Sequence, residues 1–476
     1  MSILTKALGS GALVMALVYP AAADEIRSGL DDQTAVAITI YNENLALVRD
    51  QRRVTLKPGR SALALRDVSA RIRPETAILS GASGSTELNL IEQNFDFDLL
   101  TPDTLLNKYV GQQVQAVTVN PANGNETIES ATVLATNQGV VLQFDNRIET
   151  RFPGRLIFNE VPDNLRDRPT LVMELDNNNP APQEIELSYL TAGLGWRADY
   201  VASLSQDETT LDLNAWVTLT NQSGTTYRNA LLQLVAGDVQ QVQQVLPRMR
   251  SMDMVESATL ARGVAEESLF EYHLYTLQRP TTVADNQTKQ VSLLSAATVP
   301  VEKQYVLNGA EQFYGGRSAA GVDQDVSVFL NLSNDESSNL GLPLPGGIVR
   351  VYKNDSAGRV QFIGEDQIDH TPKNEDVELK LGNAFDVTAK RVQTSFKKVP
   401  NVGQYNFSAE IGHKIILRNA KDLSVVVTVR ETIPGDWQIL AENNPHTKLS
   451  AGTVEWSVEV PAQSSTEFEY ITLVRY

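Results

Sequence analysis

Apolar and polar residues alternate with period two along most of the chain. Leu211, Leu213, Ala215, Val217 and Leu219 are interleaved with Asp212, Asn214, Trp216, Thr218 and Thr220. Val454, Trp456, Val458 and Val460 repeat the pattern, as do Leu423, Val425, Val427 and Val429, and Val377, Leu379 and Leu381. Such alternation sends one set of side chains to a core and the other to water. Turn clusters separate the runs, among them Lys57-Pro58-Gly59-Arg60, Asn120-Pro121-Ala122-Asn123-Gly124 and Asn354-Asp355-Ser356-Ala357-Gly358. The spacing predicts an all-β chain of antiparallel sandwich or barrel units. The crossover helices that a parallel sheet ordinarily needs are missing from the pattern.

One short helix is expected at 102–110. Thr101 is placed to cap it, Pro102 suits its first turn and Gly111 its end, with Leu105, Leu106, Tyr109 and Val110 on one apolar face. It is expected to act as a hinge or lid between an N-terminal β domain (24–96) and a small barrel-like unit. That unit, within 97–180, takes strands near 114–119, 127–134, 140–144 and 155–158 and ends in the linker Asp176-Asn177-Asn178-Asn179-Pro180. A C-terminal β-sandwich region, 181–476, follows and has room for two sub-domains. Residues 247–268 and 334–347 read as loops.

Residues 1–23 have the form of a cleavable export signal. Lys6 is their single charge, 7–18 are almost uninterruptedly apolar, and Ala21-Ala22-Ala23 supplies small residues for cleavage. The apolar run is short of the ~20 residues a spanning helix needs. The expectation is a periplasmic or secreted protein with no transmembrane segment after cleavage near Ala23.

Composition then narrows the chemistry. The 476 residues contain 40 Lys+Arg against 58 Asp+Glu, a net charge of −18, with four His and no Cys. The acidic balance excludes a nucleic-acid binder, which needs a basic stripe. The lack of Cys removes disulfides, thiolate metal sites and cysteine nucleophiles. The chain has no HExxH, GxSxG or GxxxxGK[ST] motif. Gly193-Leu194-Gly195-Trp196-Arg197-Ala198 imitates a dinucleotide fingerprint, but no helix follows to face a pyrophosphate. Acidic spots such as Asp323-Gln324-Asp325 do not follow the EF-hand loop. No cofactor and no metal are expected.

The remaining chemical candidates are few. Glu271, His273 and Asp199 are the residues that would serve an acid/base couple, because a carboxylate beside an imidazole orients it and shifts its charge. His370, followed by Glu375 and Asp376, offers a similar pairing. Trp196, Tyr200, Trp216 and Tyr275 are candidate ligand-binding aromatics. Trp216 falls on the polar face of its strand, where it is expected either to lie under another layer, the favoured reading, or to form an exposed platform.

Several stretches together resemble a bacterial family of exported proteins. They include Tyr189–Tyr200 (YLTAGLGWRADY), 215–224 (AWVTLTNQSG), 234–238 (LVAGD), 272–275 (YHLY), Leu344-Pro345-Gly346-Gly347 and Gly382-Asn383-Ala384-Phe385-Asp386-Val387. The family carries domain of unknown function 4139, also found in mucoidy-inhibitor-A-like proteins. The resemblance covers about 185–476 and implies fold, export and bacterial origin, with no activity attached. The sustained heptads of some members are missing here. Within these motifs Trp196, Trp216 and Phe385 suit packing between sheets. The combined expectation is a non-enzymatic envelope protein that binds or scaffolds a protein or glycan. The alternatives are a hydrolase of envelope glycans or peptides using carboxylates and His273, and an assembly helper for envelope β proteins.

Overall fold

The structure is a computed structural model that describes residues 25–42, 44–82, 88–96, 98–137, 139–162, 165–237, 239–240, 264–269, 272–317, 321–400 and 405–475. The expected export signal and Glu271 lie outside the described residues. Strands account for 64% of the structure and helix for 5%, so the all-β expectation holds. Two compact units form. One joins the described residues up to Val36 to Val48–Thr191; the other joins Ala37–Leu47 to the chain from Ala192 onward.

In the first unit, a four-stranded sheet runs in the order Glu25–Ser28, Gly59–Arg66, Thr170–Asn177, Asn89–Asp96. Leu171, Met173 and Leu175 alternate into its core and are fully buried. A second sheet contains Val48 to Val54, Gln183–Thr191 and Ile78–Gly81. Arg52 ties the two together: its buried guanidinium pairs with Asp50 at 2.7 Å and donates to the carbonyls of Ser28 and Arg66 at 2.7 and 2.8 Å.

Five antiparallel strands make the small β unit, in the order Ile148–Glu149, Val141–Gln143, Glu126–Ala135, Gln113–Val119, Arg155–Ile157. Among the described residues no pairing joins its two outer strands, which leaves the sheet open. The helix Pro102–Lys108 starts where the sequence places it, with Thr101 Oγ1 accepting from the Thr104 N–H at 3.1 Å. It is no lid. Leu105, Leu106 and Tyr109 pack with Val114, Val133, Leu142 and Phe144 and help to form the core, while Val110 turns out to solvent.

The second unit contains a sandwich. One layer has Val264–Leu269, Tyr272–Leu277, Tyr227–Ala236 and the Ala37-to-Tyr41 part of Gln33–Tyr41. The strand Val264–Leu269 overlaps the end of the stretch expected to be loop; it pairs antiparallel with Tyr272–Leu277. The other layer runs Gln287–Pro300, Thr210–Asn221, Leu194–Leu204, Gly347–Asn354, Val360–Ile368. Leu211, Leu213, Ala215, Val217 and Leu219 are all buried between the layers, as their alternation predicts.

The rest of this unit is a nine-stranded sheet in the order Asp436–Glu442, Ser464–Arg475, Ser408–Asn419, Asp376–Lys398, Val322–Ser333, Glu302–Asn308, Val425–Thr432, Thr453–Val460, His446–Lys448. It rolls on itself. Trp456, from the eighth strand, stacks on Tyr470, from the second, with ring centroids 4.7 Å apart. Leu423, expected in the alternating core set, is 77% exposed because its strand begins only at Val425.

Antiparallel pairing dominates, yet among the described residues four strand pairs of defined register are parallel. Glu25–Ser28 pairs with Gly59–Arg66, Gln33–Tyr41 with Tyr227–Ala236, Leu194–Leu204 with Gly347–Asn354, and Glu302–Asn308 with Val425–Thr432. A parallel connection needs a crossover, not a helix as such. Here intervening strands supply it, which is why the missing helices misdirect a purely antiparallel expectation.

Candidate functional site

The strand Leu194–Leu204 sorts the predicted residues onto two faces. Trp196, Ala198 and Tyr200 point into the sandwich and are buried. Trp196 Nε1 donates to the Val235 carbonyl at 3.3 Å, and the Tyr200 hydroxyl to that of Pro345 at 2.7 Å. Tyr275, from the opposing layer, donates to the Pro343 carbonyl at 3.1 Å. Burial, and then the neighbouring Tyr275, push the Tyr200 hydroxyl well above its ordinary pKa. Trp196 therefore joins the two layers, and Tyr200 and Tyr275 hold the segment 342–347 by its carbonyls.

His273 lines a small cavity of about 110 Å³ beside that segment, together with His370, Tyr275, Gly237, Pro343 and Leu344. His370 Nδ1 accepts from the Gly346 N–H at 3.0 Å. A neutral imidazole with Nδ1 accepting carries its hydrogen on Nε2. That nitrogen lies 3.1 Å from Asn42 Nδ2. Leu344 and Thr371 exchange two backbone hydrogen bonds alongside, at 2.8 and 2.9 Å. The second histidine thus fixes the loop.

Asp199 lies on the other face of its strand, away from this cavity. It accepts from Thr218 Oγ1 at 2.6 Å, Arg350 Nη1 at 3.0 Å and Arg197 Nε at 3.2 Å. Burial raises its pKa, but the Thr218 and Arg350 hydrogen bonds and the Arg197 charge outweigh that and hold it below the usual carboxylate value. Asp199 and His273 are separated by the sheet, because odd and even positions of a strand face opposite ways. Trp216 pairs across strands with Asp199 on this outer face and is 39% exposed, so the covering layer expected over it is not there.

The largest departure from the sequence reading is Phe385. It was assigned to packing between sheets and is 94% exposed. The register shows why. Asp325 pairs with Thr388 and Ser327 with Asn383, so Val326 alone opposes Ala384 to Val387. A bulge of this kind breaks the two-residue period and re-aims side chains. Its base is held on both sides. Val387 is fully buried, Asn383 Nδ2 donates to Asp325 at 3.0 Å, and the Asp386 carbonyl accepts from the Ala420 N–H at 2.8 Å. Phe385 is the large apolar side chain of the bulge left outside.

More apolar surface lies on the outermost strand of the sandwich, Val360–Ile368. Val360 is 67%, Phe362 55% and Ile363 36% exposed. This strand runs antiparallel to Asp376–Lys398: the Asp366 carboxylate accepts from the Lys380 N–H at 2.7 Å, and Gly364 lies against the Leu381 backbone. The antiparallel sense carries Phe385 toward the Val360 end of the strand. Sequence reasoning missed this surface; the run Val360, Phe362, Ile363 was a signal, since adjacent apolar residues in an edge strand cannot all face inward.

Among the described residues, no three His, Asp or Glu side chains come together in an arrangement able to hold a metal ion. No helix of the described residues is long and apolar enough to cross a membrane. No curated protein matches the chain. The profile of one family, described as a domain of unknown function (DUF4139), matches residues 185–476, which is more than half of the sequence, and the chain belongs to that family.

Proposed function

We propose that the chain is a non-enzymatic binding module of the bacterial envelope that docks a partner protein on the apolar surface around Phe385. The observation that carries this reading is a phenylalanine 94% exposed on an anchored bulge, within one of the stretches through which the sequence resembles its family. Burying such a ring is worth about 1.5–3 kcal/mol, and exposed aromatics are the anchors from which protein interfaces are built. Asp386 beside it and the net charge of −18 favour a partner segment that is apolar and basic. Envelope location rests on the export signal read from residues 1–23.

Hydrolysis through Asp199 and His273 has less support. The carboxylate is ion-paired on one face of the sheet and the imidazole sits on the other.

The test is a photo-crosslinking amino acid at position 385 in the native host, with position 423, also solvent-facing, as control. The expected result is one discrete adduct from 385 with a protein of different mass, lost on Phe362→Ser and not formed from 423. No adduct, or the same smear from both positions, would remove the reading. An adduct of two copies of this chain would reassign the surface to self-association.

A further inference from the structure

We infer that the first unit holds a binding site for a small organic anion with an apolar body, at the end of its four-stranded sheet. A cavity of about 260 Å³ opens there, near the lower end of small-molecule pockets. Among the described residues three arginines line it, Arg27, Arg66 and Arg166, together with one acid, Asp167. Glu25, Asp96 and Asp167 pair with these arginines, so what the site offers an anion is the guanidinium donors that the carboxylates leave unused, not a net charge.

Strand register brings these cations together. Arg27 lies on Glu25–Ser28, opposite Ala64; Arg66 ends the next strand and pairs with Thr170, the first residue of the third. Arg166 is held by backbone bonds to Asp98 and Leu100, at 3.0 and 2.8 Å.

The arginines do not share one role. Arg166 is committed: it takes both oxygens of Glu25, at 3.0 and 2.8 Å, and Asp96 at 2.8 Å. It is the scaffold of the site. Arg27 uses only Nε, toward Glu25 at 2.9 Å, and Arg66 only Nη2, toward Asp167 at 2.5 Å. Both Nη groups of Arg27, and Nε and Nη1 of Arg66, bond to no other described residue. A guanidinium with a free pair of donors matches a carboxylate or phosphate edge with two parallel hydrogen bonds.

The opposite wall is apolar: Leu100, Val161, Pro162 and Leu165. Leu100 and Val161 are 40% and 50% exposed, more than such residues need to be beside a cavity they could close. An apolar body attached to the anion would cover them. The ligand is therefore an aryl or alkyl carboxylate or phosphate, not a bare inorganic ion.

The experiment is calorimetric titration of the full chain with 4-phenylbutyrate, phenyl phosphate, inorganic phosphate and the neutral 4-phenylbutyramide. Saturable binding of at least one aryl anion is expected, with the tighter of the two identifying the head group. The amide and inorganic phosphate should bind about tenfold more weakly or not at all, and affinity should fall with added salt. Arg27→Gln/Arg66→Gln should lose binding by about tenfold or more while keeping the parent's thermal midpoint, since neither residue is buried. Arg66→Lys separates charge from fork geometry and should bind weakly. No saturable binding by either aryl anion, equal binding of the amide, or unchanged affinity in a folded double variant would each overturn the site.

Discussion

Inside the nine-stranded sheet, Arg391 Nη2 donates to Glu431 Oε1, and the two side chains are only 2% and 0% exposed. Two tyrosines complete the cluster. Tyr314 donates to the other Glu431 oxygen at 3.0 Å, and Tyr470 accepts from Arg391 Nη1 at 3.0 Å while lying 2.9 Å from the Tyr314 hydroxyl. Removing one member leaves a buried charge without a partner, which costs about 3–5 kcal/mol. Glu431→Gln should lower stability by that order in urea unfolding followed by tryptophan fluorescence. Arg391→Met/Glu431→Leu should recover most of the loss, because the desolvated charges disappear together. Gly309→Ala tests the same packing, since its methyl group would fall 1.8 Å from Glu431 Oε2.

His413 gives the fold a pH dependence of definite sign. It is 1% exposed, lies between the Tyr314 and Tyr470 rings at 5.4 Å from each, and among the described residues neither ring nitrogen makes a hydrogen bond of normal geometry. Burial, reinforced by the Arg391 charge, lowers its pKa from 6.5 to about 3. Below about 6.5 the unfolded chain takes up a proton that the folded chain refuses until about 3. Stability is therefore present above that window and falls as pH drops through it, by on the order of 4–5 kcal/mol in all. Urea midpoints measured from pH 7 to pH 4.5 should decline in the parent and decline less in His413→Phe. Parallel slopes would contradict this account.

The segment 342–347 should loosen when its side-chain ties are cut. Tyr200→Phe and Tyr275→Phe each leave a proline carbonyl without its donor, at a cost of about 1–2 kcal/mol. His370→Ala removes the acceptor of the Gly346 N–H. Amide exchange at Gly346 should quicken in His370→Ala, while exchange in the buried strand Thr210–Asn221 stays as slow as in the parent.

Phe385 and Val387 should behave as opposites although they are two residues apart. Phe385→Ser should change folding stability by less than about 0.5 kcal/mol, as a substitution at an exposed site does. Val387→Ala, at a fully buried position, should cost about 1–2 kcal/mol through a cavity. With the photo-crosslinking residue moved to position 362, only the first should abolish the adduct. Equal destabilisation by both would mean that Phe385 packs in solution.

The all-β architecture was legible because the alternation at Leu211–Leu219 and Val454–Val460 is a local consequence of strand geometry, and those side chains are buried as it requires. The helix start was legible for the same reason: Thr101 and Pro102 act on their own turn. The sandwich aromatics Trp196, Tyr200 and Tyr275 could be named from sequence, but not the carbonyls that receive their hydrogen bonds, which lie 39, 145 and 68 residues away.

What the sequence by itself determined is which residues share a strand face: it put Asp199 opposite to Tyr200, and Trp216 among polar neighbours. What only the tertiary structure decided is which face another layer covers. Trp216 is open, Val110 turns outward from a helix that became core, and a bulge against Val326 turns Phe385 out of the pattern. The three arginines of the first-unit cavity come from residues 27, 66 and 166, so no window of sequence contains them. Periodicity is a property of neighbouring backbone units, whereas coverage, bulges and charge clusters depend on pairings made across tens to hundreds of residues. Those pairings are settled by the free energy of the folded chain as a whole.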